Sequence, residues 1–262
     1  MRFISAFRDA AMRFSRDGCA FLAQSIAFNA LFALFPLTVL VLSAATLVLP
    51  FAERRTLGFF DTFAPTLHDY IEANLQTYMY GRGITSLIAL TILIWSGKNL
   101  FMGLAYALDR ALNVPKARPL VHNLLLSFVM LPLIGILLIV AIVLPVLLSI
   151  SVRATGFAEN AQMLHFLVYV LSIALVFAVT VLLYRLLPNR AVSWGFSVRG
   201  ACIVSAAWPV VQYAFAQYIA HVNFTAVYGA LSAPLVLLFW FYCIGSIFLY
   251  GAEYAAVLSS NP

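Results

Sequence analysis

Charge is scarce in this chain: 9% of its 262 residues are Asp, Glu, Lys or Arg, against 64% hydrophobic residues. A soluble domain carries about a quarter charged residues, so the composition argues against a water-soluble fold. Cysteine is scarce as well. Cys19, Cys202 and Cys243 have no metal-type spacing and two of them lie in apolar runs, which argues against a disulfide framework and a zinc site. Recognisable catalytic signatures are missing: there is no GxxxxGK[ST] phosphate loop, no HExxH, no CxxC and no GxSxG elbow. His68, His122, His165 and His221 fall on separate segments rather than on one helix face. No cofactor and no enzymatic activity are expected, and transport without a nucleotide site would be passive or driven by an ion gradient.

Long apolar runs are abundant instead. The stretch from Phe224 to Tyr254 is long enough to cross the roughly 30 Å hydrocarbon core of a bilayer, and its lone carboxylate, Glu253, stands at the far end. Further runs occur at about 23–49, 84–106, 124–150, 163–187 and 200–220, with the last span at about 230–252. The expected fold is all-α: one integral membrane domain over 1–262 with six transmembrane helices. The first run is too long for the apolar core of a signal peptide and no small-residue cleavage site follows it, so it reads as a retained helix.

Residues 1–22 form an arm in which Phe3, Phe7, Ala10, Ala11 and Phe14 recur at helical spacing while Arg2, Arg8, Arg13 and Arg16 take the other faces. That pattern suits an amphipathic helix lying on the bilayer surface. Residues 51–83 mix aromatics with Glu53, Asp61, Asp69 and Glu72, and predict short amphipathic helices capping the outer face, broken at Pro65. A lid, a docking surface and a plain interfacial cap all fit this segment.

Lys and Arg together number 15 against 9 acidic residues. With the N-terminus inside, one set of segments carries Arg2, Arg8, Arg13, Arg16, Arg110, Lys116, Arg118, Arg185, Arg190 and Arg199. The other set carries only Arg54, Arg55, Arg82 and Arg153. The positive-inside rule then places both termini in the cytoplasm, and the basic segments favour anionic lipid headgroups over nucleic acid.

Polar residues within the spans are costly in lipid and usually face protein or water. Ser25 and Asn29 share a helix face with Phe32 and Pro36; Lys98 and Asn99 lie within the second span; Arg185 ends the fourth; Gln212 lies near the middle of the fifth, past the Trp208-Pro209 kink. Ala201 and Ser205 have the small-xxx-small spacing that permits close helix contact. Tyr242, Ser246, Tyr250 and Glu253 form a stripe along the last span. The even-numbered spans run outside to inside, which puts Lys98, Arg185 and Glu253 at similar depth, joined by Gln24. Two readings stay open: Glu253 pairs with Lys98, Arg185 or the N-terminal arginines in a structural ion pair, or these residues line a cytoplasm-facing cavity that attracts an anion.

Several stretches resemble the YihY/BrkB family of bacterial inner-membrane proteins: AFNALFALFPL (Ala27 to Leu37), ALN (Ala111 to Asn113), YRLLPNRAVSW (Tyr184 to Trp194), GACIVSAAW (Gly200 to Trp208), VYGALSAPLVLLFWFY (Val227 to Tyr242) and YGAE (Tyr250 to Glu253). Members are often labelled "ribonuclease BN", a name this sequence does not support. The resemblance implies six transmembrane helices, an inner-membrane location and a role in envelope integrity or lipid handling. The function expected is a non-enzymatic transporter or flippase of a lipid or other amphipathic anion. A scaffold organising envelope proteins and, more remotely, a ribonuclease are the alternatives. Gln24, Asn29, Lys98, Asn99, Arg185, Gln212, Tyr242, Ser246 and Glu253 are the candidate path residues. The partners expected are anionic lipid headgroups, with envelope proteins and a homo-oligomer compatible with the sequence.

Overall fold

The computed structural model describes residues 2–48, 82–114, 129–130, 133, 161–189, 192–222 and 224–260. The outer cap up to residue 81 lies outside them, as does nearly all of the expected third span at 124–150. All described regular structure is helical. In lipid the backbone has no water to bond to, and a helix satisfies its donors and acceptors within one segment.

The elements are α1 (Arg2–Arg16), α2 (Cys19–Val48), α3 (Arg82–Ala111), α4 (Ala161–Leu186), α5 (Trp194–His221), α6 (Phe224–Tyr228), a 3-10 turn at Gly229–Leu231, and α7 (Ser232–Ser260). Among the described residues five helices, α2, α3, α4, α5 and α7, are long and apolar enough to cross a membrane. Phe21 is 77% exposed and Phe166 68%, and many other large apolar side chains along these helices are open. Such a surface is unfavourable in water and is the solvated one in lipid.

Local signals set the helix ends. Gly18 takes a left-handed φ of +70°, which ends α1 in a turn where the Asp17 amide donates to Arg13 O at 2.8 Å; a residue without a Cβ adopts that backbone freely. α2 therefore begins at Cys19 instead of residue 23, and the arm ends at Arg16 instead of residue 22. α5 begins at Trp194, ahead of the expected residue 200, because Ser193 caps it: its Oγ accepts from the Phe196 amide at 3.2 Å. Asn113, at φ 50°, closes α3 after Ala111. Pro234 falls in the first turn of α7, where no intrahelical donor is needed.

α7 is the axis of the described bundle. It packs on α2 along one side and α5 on another; α3 flanks α2, and α4 flanks α5. The main core joins Cys19, Ala23 and Ile26 of α2, Phe101, Ala105 and Leu108 of α3, Tyr184 of α4, Val204 of α5 and Leu249 and Ala252 of α7. Met130, within the expected third span, is buried in this same core.

α1 docks on the end of α7. Ala6 and Ala10 are buried against Tyr254 and Val257, Phe7 lies 4.7 Å ring to ring from Tyr254, and the Tyr250 hydroxyl donates to Phe7 O at 2.9 Å. The packing face is thus the alanine side, while Phe7 and Ala11 remain exposed.

Candidate functional site

The site is built on a close crossing of three helices. A Cβ added to Gly251 would lie 2.7 Å from both Tyr184 Oη and Val204 Cγ2 and 2.9 Å from Gly200 O; one added to Gly200 would lie 3.0 Å from Gly251 O. Only glycine at both positions lets α5 and α7 meet at this distance. The fully buried Tyr184 of α4 fills the junction, its hydroxyl donating to Phe248 O and its ring lying 4.8 Å from that of Phe248. One turn earlier, Gly245 of α7 sits against Ala23 of α2, where a Cβ would come within 3.4 Å of the backbone. Small residues thus draw α2, α5 and α7 together around the C-terminal half of α7.

Glu253 stands two positions past Gly251 and is 0% exposed. Its Oε1 accepts from Cys19 Sγ at 3.5 Å, while its Oε2 is buried without a partner among the described residues. The α1–α2 turn covers it. Asp17 in that turn lies within hydrogen-bonding reach of Glu253, and Arg13 lies within electrostatic reach. Asp17 Oδ1 accepts from Arg16 Nε at 3.2 Å, and Asp17 Oδ2 is buried without a partner among the described residues. The hydrogen bond to Asp17 strengthens the hold of Arg16 on its proton, raising it above the usual arginine range. Beside the turn runs an open groove of about 320 Å³ lined by Asp9, Met12, Arg13, Arg16 and Val257.

The structure separates residues that depth alone had grouped. Glu253 forms no ion pair with Lys98 or Arg185. The Arg185 guanidinium lies 3.9 Å over the Trp194 ring and donates to Val192 O at 3.4 Å, a cation–π seat that ties the end of α4 to the start of α5. Lys98, half-buried near the middle of α3, makes no ion pair or hydrogen bond among the described residues. Gln24 is exposed, and Asn99 is half-buried. Asn29 Nδ2 donates to Ser25 O at 2.9 Å and faces α3 at Gly103, 3.8 Å from where a Cβ there would stand. Gln212 is exposed on α5, so the helix contacts of α5 are made by other residues, among them the buried Ala201 and Ser205. Tyr242 packs at the edge of the main core, and Ser246 Oγ is buried without a partner among the described residues.

Asp17, Cys19, Tyr184, Gly200 and Gly251 escaped the sequence reading as members of this site. The usable signal was the pair of Gly-Ala dipeptides, Gly200-Ala201 and Gly251-Ala252, since glycine inside an apolar helix is unfavourable unless a backbone approaches it. Nothing in the linear sequence marks Asp17 as a neighbour of Glu253.

Relatives share this chain's length of homology but not always their own. It is 27% identical to the UPF0761 membrane protein of Rhodospirillum centenum over 97% of this chain and 57% of that protein. The UPF0761 membrane protein of Halorhodospira halophila is 26% identical, over 94% and 55%. The chain therefore spans little more than half the length of these two relatives. YfkH of Bacillus subtilis, named a ribonuclease-like protein, is 26% identical over 90% of this chain and 88% of its own. No solved structure matches. The family described as virulence factor BrkB matches residues 10–262, and the chain belongs to that family of membrane proteins.

Proposed function

We propose that this protein moves an amphipathic anion, of the chemical class of an anionic lipid, across the bacterial inner membrane, without an enzymatic step, through a six-span bundle whose termini face the cytoplasm. The observation that carries the reading is Lys98. At a rise of about 1.5 Å per residue it lies roughly 24 Å along α3 from Arg82 and roughly 18 Å from Arg110. The hydrocarbon core is about 30 Å thick, so the ammonium remains inside it even when the stem reaches toward an interface. An ionisable group at that depth is unfavourable by about 2.5–3.5 kcal/mol or more and normally has a counter-charge. The acid that the sequence offered for that purpose, Glu253, is engaged at the α1–α2 turn with Cys19 and Asp17. With no counter-charge among the described residues, Lys98 is left to attract a mobile anion, with the adjacent Asn99 and, across on α2, Asn29 facing Gly103 further along α3, able to bond a headgroup.

Vesicles carrying a fluorescent anionic lipid test the proposal. The wild-type protein should exchange lipid between leaflets faster than empty vesicles, and Lys98→Gln should slow it about tenfold, the rate equivalent of ~1.4 kcal/mol. Exchange no faster than in empty vesicles, with and without an imposed ion gradient, would remove the reading. The name of the Bacillus subtilis relative supplies a second one: RNA cleavage by the purified protein, abolished in Lys98→Ala or Glu253→Ala, would put an enzyme in place of a transporter.

A further inference from the structure

We infer that Asp17 and Glu253 form a proton-binding site in which one proton, carried by Glu253 and donated to Asp17, closes the α1–α2 turn onto the last helix. Four carboxyl oxygens define the site. Asp17 Oδ1 accepts from Arg16 at 3.2 Å and Glu253 Oε1 accepts from Cys19 at 3.5 Å. The remaining two, Asp17 Oδ2 and Glu253 Oε2, are both buried and both lack a donor among the described residues, and they belong to carboxyl groups within hydrogen-bonding reach of each other. With both groups ionised, two carboxylates would confront one another away from water, each with a bare oxygen, which repulsion and desolvation disfavour together. A metal cation between them is disfavoured by the arginines around the pair: Arg13 acts on Glu253, Arg16 holds Asp17 and Arg110 acts on Cys19.

A single proton satisfies the whole arrangement. Placed on Glu253 Oε2, it becomes the donor that Asp17 Oδ2 lacks. The proton is assigned to Glu253 because the other Asp17 oxygen already takes the charge-assisted bond from Arg16. Glu253 is the neutral one, fully buried beside a thiol. The titratable and charged groups on the surrounding elements are Arg13 and Arg16 of α1, Asp17, Cys19 of α2, Arg110 of α3, Tyr184 of α4, and Tyr250 and Tyr254 of α7. Loss of the shared proton places like charges across the turn, so the closed arrangement belongs to lower pH and is lost as pH rises through the titration of the pair. The element released is α1, which otherwise holds to α7 through Ala6, Ala10 and the Tyr250 bond to Phe7.

Infrared difference spectroscopy of the full chain in nanodiscs tests this. Wild-type protein should show a protonated-carboxyl C=O band that Glu253→Gln lacks, and the band should bleach as pH rises. In a Cys202→Ser, Cys243→Ser background, alkylation of Cys19 by a maleimide should accelerate over the same interval, by about tenfold more than in Glu253→Gln, the change that one pH unit of proton occupancy produces. The carboxamide keeps a donor at Oε2, so that variant should stay closed throughout. Asp17→Asn should also lose the band although Glu253 is present, because the new amide supplies the donor and the carboxylate can ionise. A wild-type band indistinguishable from that of Glu253→Gln at every pH would overturn the inference, as would retention of the band in Asp17→Asn.

Discussion

The two halves of α7 are packed by opposite means. From Gly245 to Val257 small residues bring backbones together: Gly245 against Ala23, Gly251 against Gly200 and Tyr184, with Leu249, Ala252, Glu253 and Ala255 shut away from solvent. From Ser232 to Cys243 the helix meets α5 through large rings instead. Trp240 lies 4.7 Å from Phe215 and 5.7 Å from Trp208, Phe239 lies 5.4 Å from Tyr218, and both Leu235 and Phe239 remain exposed. Glycine contacts leave no room for a side chain between the helices. Ring contacts are held by side chains that lipid can partly replace. The comparison explains why the unpartnered carboxylates sit where they do: a tight junction can keep buried polar groups from water, and an aromatic seam exposed to lipid cannot.

Four substitutions would break or sharpen that contrast. Gly251→Val should have the largest effect, because a side chain there meets Tyr184, Val204 and the Gly200 backbone at under 3 Å; a cost of about 3 kcal/mol or more is expected from overpacking, seen as loss of folded protein in thermal unfolding in detergent. Tyr184→Phe removes the side-chain donor from which Phe248 O accepts in addition to its own helix bond and should destabilise by about 1–1.5 kcal/mol in the same measurement. Trp240→Ala removes ring pairs from the loose half and should cost about 1 kcal/mol, since lipid can take the vacated surface. Tyr250→Phe deletes only the bond to Phe7 O; it should leave the unfolding temperature nearly unchanged, at about 0.5–1 kcal/mol, while speeding proteolysis within residues 2–16. An equal cost for Gly251→Val and Trp240→Ala would erase the distinction between the halves.

Much of the membrane architecture is legible in the sequence, because a run of apolar residues long enough to cross a bilayer has few other uses. Helix ends are less legible, since Gly18, Asn113 and Ser193 act through single backbone conformations and caps rather than through hydropathy. The site is legible only in part. Topology grouped Glu253 with Lys98, Arg185 and the N-terminal arginines; the structure brings Arg13 within electrostatic reach of it and forms no ion pair from it to Lys98 or Arg185. Depth along a helix does not say which way a side chain faces: Arg185 turned to Trp194, and Lys98 makes no ion pair among the described residues. Another neighbour, Asp17, lies in a turn more than two hundred residues away, since even Cys19 and Glu253 are 234 positions apart. Gln212 illustrates the same limit, being central in its span and yet on an exposed face.

Lipid exchange in vesicles that hold wild-type, Lys98→Gln or Lys98→Arg protein, each with an anionic and a zwitterionic fluorescent lipid, addresses the central claim most directly. An intramembrane cation that serves an anion should give faster exchange of the anionic probe by wild type, preserved in Lys98→Arg and reduced about tenfold in Lys98→Gln. Equal rates for the anionic probe in all three proteins would contradict the account.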